Sequence, residues 1–192
     1  MKHGTSSLHT KKELAQTLKE AMRKKPFSKI TVSEIVKSCG LNRKTFYYHF
    51  EDIYSLLKWM LEEEAIEIVK GFDLMTDYEE ALFFVMDYIE KNDYMINCAY
   101  DSLGREGMKH FLYRDFYDIT LNIIQSAEEQ GGVRLDPDYK NFLCCFYMEA
   151  LVGILLDWIQ NKNERNPDQM ARHIVFTIKK SLTGILDQYH AL

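Results

Sequence analysis

Arg43, Lys44, Thr45, Tyr47, Tyr48 and His49 fall within seven consecutive positions, and their chemistry is that of contact with an anionic, flat surface. Arg43 and Lys44 can each donate to guanine O6 and N7. Thr45 and Tyr47 are a short-reach and a long-reach hydroxyl suited to phosphate oxygens. Tyr48 can lie against a thymine methyl or the backbone, and His49 can donate to a phosphate. Phe46 and Phe50 are four apart and face inward, which leaves the polar set on the other side of one short helix. A helix this short has little reason to expose so much cation and aromatic surface unless duplex DNA, or something like it, meets it.

The residues before this set supply the elements that would position it. Thr31 followed by Glu34 is a capping box, the signature of a helix start. Val32, Ile35, Val36 and Cys39 continue at helical spacing. Gly40 permits a tight turn, Leu41 can plug that turn into the core, and Asn42 is a good cap for the second helix. The pattern predicts a helix-turn-helix. At its first helix, Thr31 and Ser33 can offer hydroxyls and backbone N–H groups to a phosphate. An earlier helix over about residues 10–24 carries Leu14, Ala15, Leu18, Ala21 and Met22 on one face. The apolar run Ile53, Leu56, Leu57 and Met60 follows.

With the Thr-Phe-Tyr-Tyr-His-Phe ending of the second helix, residues 10–60 resemble the N-terminal DNA-binding domain of the TetR family of bacterial transcriptional regulators. The resemblance implies base contacts early in the recognition helix and phosphate contacts at the Tyr and His. It also implies a homodimer whose last two helices pair with their counterparts in a four-helix bundle. A two-fold dimer presents its recognition helices about 34–36 Å apart, so the operator is expected to be a pseudo-palindrome. Family members often carry a phosphate-binding Lys near the start of the fourth helix. Here Glu51, Asp52 and Ile53 stand there, implying either modest affinity or a shifted placement of that helix. The stretches KNDYMINCAYDSLGREGMKHFLYRDF and EALVGILLDWIQN look like a subgroup with a short C-terminal domain. That subgroup includes regulators of dihydroxyacetone kinase operons, some of which activate and take their signal from a partner protein rather than a ligand.

Charge is divided along the chain in a way that fits a basic reading head on an acidic body. Residues 1–60 hold 12 Lys and Arg against 5 Asp and Glu, while the remaining residues hold 12 against 24. Hydrophobics at 46% and aromatics at 13% exclude a disordered chain. Cys39, Cys98, Cys144 and Cys145 sit in apolar helical patterns without metal spacing and read as buried small hydrophobes in a reducing compartment. The N-terminus has no apolar core of a signal peptide, and no apolar run approaches the roughly 20 residues needed to span a bilayer. A cytoplasmic protein is expected.

Helical patterns with clear punctuation fill the rest. A fourth helix is expected from about Asp52 to Lys70 with Gly71 ending it. Thr76 and Glu79 form a further capping box. A break is expected near Asp101–Gly107, and Gly131-Gly132 stops the helix after it. Asp136-Pro137 and Asn166-Pro167 open the last two helices. The fold class is all-α: a three-helix helix-turn-helix domain over residues 10–56, after a disordered tail at 1–9, then a helical effector-binding and dimerisation bundle over 57–192. Residues 137–161 and 167–190 carry more apolar positions than one core-facing stripe needs. Phe146, Ala150, Ile154, Trp158, Ile178, Leu182 and Ile185 are the dimer candidates, the alternative being that both helices close the monomer core. Phe83, Tyr94, Tyr100, Phe111 and Phe116 are candidates to line a small-molecule effector cavity, or else are plain core. There is no convergent set of catalytic groups, no phosphate loop and no metal spacing, so neither enzyme nor cofactor is expected.

Overall fold

The structure is a computed structural model that describes residues 3–72, 77–161 and 166–190, and no strand occurs among them. The helices are α1 (His3–Met22), α2 (Val32–Ser38), α3 (Arg43–His49), α4 (Ile53–Leu61), α5 (Glu67–Lys70), α6 (Tyr78–Lys91), α7 (Asp93–Gly131), α8 (Pro137–Asn161) and α9 (Pro167–His190). The all-α reading holds. Helix α1 reaches back through His3, into the stretch 1–9 assigned to a tail. Residues Thr76 and the Gly71–Thr76 junction beyond Phe72 lie outside the described residues.

The chain divides into two compact units. The first joins Met1–Glu67 to Asn92–Gly104, and the second joins Ile68–Lys91 to Arg105–Leu192. In the first, Leu14, Leu18 and Met22 of α1 share a core with Ile35 and Val36, Phe46 and Phe50, and Leu56, Leu57 and Met60. Lys19 of α1 pairs with Glu64, and Lys58 reaches Glu62 at 3.8 Å. Two of the three consecutive acids Glu62, Glu63 and Glu64 are therefore ion-paired. The triplet opens Glu62–Ile66, a π-helical stretch between α4 and α5. Met95, Ile96 and Ala99, from the start of α7, are also buried.

Helix α7 breaks at a single residue, Gly104, within the expected interval. Its φ of 69° and ψ of 175° lie where only glycine is comfortable. In the second unit, Ile119, Ile123, Ile124 and Ala127 of α7 pack with Leu143, Cys144 and Tyr147 of α8 and with Leu182 and Leu186 of α9. The turn between α7 and α8 is pinned by a buried carboxylate. Glu128 accepts from the Leu135 amide at 2.8 Å and from Lys140 Nζ at 2.6 Å, with Arg134 at 3.3 Å. Asp136 then accepts from the Asp138 and Tyr139 amides and caps α8. Asn166 accepts from the Gln169 amide and caps α9.

One expectation needs correction. Helix α8 is 25 residues long and contains an 18-residue window of mean hydropathy 1.8, so by length and composition it meets the test for a membrane-crossing helix. No unbroken apolar run is present, but few charges interrupt the helix and its average is apolar. Part of that window, 44%, is buried inside the fold, and a core helix passes the same test.

Burial pushes the Glu128 carboxyl up, but the Lys140 and Leu135 bonds and Arg134 outweigh it and hold it below its ordinary range. Its stabilisation is thus fully present above the ordinary carboxylate range and is lost as pH falls through the lowered folded value. Glu128→Ala leaves the half-buried Lys140 ammonium and the Leu135 amide without their acceptor, and is expected to cost about 3 kcal/mol. Urea unfolding at neutral pH checks this, and the deficit of the variant should shrink toward acid pH.

Candidate nucleic-acid interface

Helix α2 begins as the spacing requires. The Thr31 hydroxyl accepts from the Glu34 amide at 3.3 Å, and the Thr31 amide donates to Glu34 Oε2 at 2.9 Å. Lys25 donates to the same carboxylate, and that bond, followed by those from Thr31, holds the exposed Glu34 below its ordinary range. The Thr31 hydroxyl also donates to Glu34, so its polar groups are engaged within the protein. Ser33 is exposed on the first turn. Gly40, at φ 66°, turns the chain, with Leu41 N–H closing on the Val36 carbonyl at 2.8 Å.

Asn42 caps α3 by accepting from the Thr45 amide at 2.9 Å. The Thr45 hydroxyl donates to the same oxygen at 3.2 Å, which turns it toward the cap. Phe46 and Phe50 are buried with ring centroids 5.9 Å apart, and Phe50 meets Trp59 of α4 at 5.7 Å. On the other side Arg43 and Lys44 are exposed, as is Tyr47, while Tyr48 stands 82% exposed. Arg43 Nη2 donates to the Tyr47 hydroxyl at 3.2 Å, one turn along, so the guanidinium has a fixed neighbour. His49 is half-buried against the edge of Tyr48, with centroids 5.0 Å apart. Burial, and then the charge of Lys11, push its pKa down. The structure thus brings Arg43, Lys44, Tyr47, Tyr48 and His49 together on α3.

The acidic start of α4 has a structural use. Asp52 accepts from the Ser55 amide at 2.7 Å and the Ser55 hydroxyl accepts from the Asp52 amide at 3.0 Å, a second capping box. Of the basic cluster after α1, Arg23 lies over the Tyr94 ring at 4.5 Å, Lys25 is held by Glu34, and Lys24 is exposed. Cys98 Sγ to the Lys25 carbonyl at 3.6 Å, and Ser28 N–H to Ser102 Oγ at 3.3 Å, tie the start of α7 to the same loop. Sequence reading missed Lys11, whose ammonium lies over both Phe50 and Trp59. No local pattern marks it, because its neighbours are about forty residues away.

The other candidate residues separate. Tyr94 and Tyr100 belong to the first unit, and Phe111 and Phe116 to the second, all four half-buried. The Phe83 side chain lies outside the described residues. Among the dimer candidates, Phe146 is 56% exposed, Ala150 is exposed, and Ile154, Ile178 and Ile185 are half-buried. Trp158 (6% exposed) and Leu182 (0%) are corrections, since they fill the monomer's own interior. The residues that stand out instead are Phe142 and, at 65% exposure, Phe176. Phe142 stacks between Tyr139 and Phe146, at 6.1 and 6.2 Å.

A capped helix-turn-helix with its cations and phenols presented on a buried aromatic footing defines the class, a transcription regulator's DNA-binding domain. Residues 16–60 match the family described as bacterial regulatory proteins, tetR family, and residues 76–180 match a transcriptional regulator C-terminal region of the same family. The chain belongs to the TetR family of transcription regulators, whose members are not enzymes. It is 22% identical over 157 residues to the HTH-type dhaKLM operon transcriptional activator DhaS of Lactococcus lactis subsp. lactis (strain IL1403), covering 82% of this chain and 83% of that one. A solved structure of the dihydroxyacetone kinase operon activator DhaS superposes with a TM-score of 0.66 at 19% identity. That match covers 94% of this chain and 97% of the other.

The cap on α3 is open to direct test. Asn42→Ala removes the acceptor for the Thr45 amide and should cost about 1 kcal/mol. Asn42→Asp, which keeps an acceptor, should retain most of the stability in the same urea titration.

Proposed function

We propose that this chain regulates transcription by binding a pseudo-palindromic operator as a homodimer, with Arg43 and Lys44 reading base edges and Tyr47, Tyr48 and His49 contacting the backbone. The observation that carries the reading is the exposed run Arg43, Lys44, Tyr47 and Tyr48 on α3, above a buried Phe46. Thr31, Ser33 and Thr45 line the same elements. Ser33 is exposed, whereas Thr31 and Thr45 would have to give up internal bonds to reach a phosphate. Residues 10–56 are the DNA-reading part and 57–192 the regulatory and dimerising part of a cytoplasmic protein.

Dimerisation is assigned to α8 and α9, where Phe142 and Phe146 are exposed and stacked in one run with Tyr139, and where Ala150 and Phe176 are also exposed; single exposed aromatics are ordinary, but a stacked exposed run marks an interaction surface. Control by a small-molecule effector is the first reading of the aromatic second unit. A second reading, an activator that takes its signal from a partner protein, is favoured by one observation: the Arg23 guanidinium already lies over the ring of Tyr94, a candidate ligand residue. The similar Lactococcus protein is by name an activator of the dhaKLM operon, which extends to this chain the proposal that it activates an operon of that kind.

Fluorescence anisotropy with the DNA upstream of its own gene and with a random duplex tests the reading. Each base-contacting cation is worth about 1–3 kcal/mol. Arg43→Ala with Lys44→Ala should therefore lower affinity for the upstream DNA by at least about tenfold and abolish its preference over random DNA. Equal binding to both duplexes, unchanged in the variant, would sink it. Phe146→Glu places a charge in the assigned dimer face, and sedimentation equilibrium should then show a monomer where the parent protein is a dimer. A variant that stays dimeric moves the interface elsewhere.

A further inference from the structure

The start of α4 carries Glu51 and Asp52, and Asp52 is committed to capping Ser55, so this end of the recognition helix receives no cation from its own neighbours in sequence. One arrives from α1 instead. The Lys11 ammonium lies 5.6 Å from the Phe50 centroid and 5.4 Å from that of Trp59, a double cation–π contact. Those two rings are themselves in contact, and Phe50 directly follows His49, the last residue of α3. Lys11 is half-buried, with the ammonium itself lying over the two rings.

Lys11 is also the charge that His49 feels, burial aside. With its pKa pushed down, the imidazole stands mainly uncharged beside the Lys11 ammonium in the free protein, and an anion brought to this spot favours its protonated, doubly donating form. The His49 ring meets that of Tyr48, which stands out into solvent, in a T-shaped contact with centroids 5.0 Å apart. A side chain held by two rings loses less freedom on meeting a partner than a mobile surface lysine does.

We propose that Lys11, fixed over Phe50 and Trp59, forms with His49 a phosphate-binding pair at the C-terminal end of the recognition helix. It does from α1 what Glu51 and Asp52 cannot do from the start of α4. The proposal rests on the DNA-binding reading above. Its contact is with the backbone, so it adds affinity and orientation without sequence preference, unlike Arg43 and Lys44.

The test is the salt dependence of binding for the parent protein, Lys11→Met and Lys11→Arg, measured by anisotropy on the upstream DNA and on a random duplex. Each phosphate contact contributes about 0.9 to the slope of log affinity against log salt. Lys11→Met should reduce the slope by about 0.9 per bound protomer and weaken both duplexes by the same factor. Lys11→Arg, which keeps the charge and the stacking, should restore the slope. Thermal melting of the free variants separates a packing role, since a slope lost in Lys11→Met and regained in Lys11→Arg at equal melting temperature reports charge. An unchanged slope in a Lys11→Met protein that still binds overturns this proposal alone. Weakening confined to the upstream DNA also overturns it. A parent protein that binds neither duplex overturns the DNA-binding reading and this proposal together.

Discussion

Burial of Phe46 and Phe50 is the constraint on which the reading surface depends. Helix α3 has only seven residues, far below the length at which a helix persists alone in water. Its cap from Asn42 is worth about 1 kcal/mol, whereas each buried phenyl is worth about 1.5–3 kcal/mol. Packing therefore decides whether this helix exists, and the cap decides where it starts. The cations and phenols opposite have no defined geometry without that footing.

Many polar groups near α2 and α3 are spent on the protein itself. Lys25 and Thr31 both serve Glu34, Thr45 serves Asn42, and Arg23 serves Tyr94. The positive balance of residues 1–60 already counts Glu34 against Lys25, so these contacts leave the net charge unchanged and instead fix where its cations sit when a polyanion approaches. Arg43 is an intermediate case, since Tyr47 fixes its guanidinium without neutralising it.

What was legible in the sequence was what chemistry settles locally. Thr31 with Glu34, Asn42, Gly40, Asp136-Pro137 and Asn166-Pro167 mark starts and stops because each satisfies backbone groups within a few residues. The inward placement of Phe46 and Phe50 followed from their spacing. What escaped depends on long-range packing. Helix α8 is apolar on nearly every side, so periodicity could not say that Trp158 points into the monomer while Phe142 and Phe146 point out. Lys11 acquires its surroundings only when α1 crosses α3 and α4. The acidic start of α4 looked like a defect in a DNA-contacting surface because its capping role for Ser55 competes with no contact visible in sequence.

Gly104 interrupts α7 with a backbone conformation closed to other residues, yet nothing lies within 4 Å of where its missing Cβ would be. A residue so placed has no contact to lose and no space to fill. Its identity is held by torsion alone, and any replacement pays entirely in backbone strain, regardless of size or polarity. Substitutions there should therefore behave alike, alanine no better tolerated than leucine. That uniformity is the opposite of what a packed core position shows, where cost scales with volume.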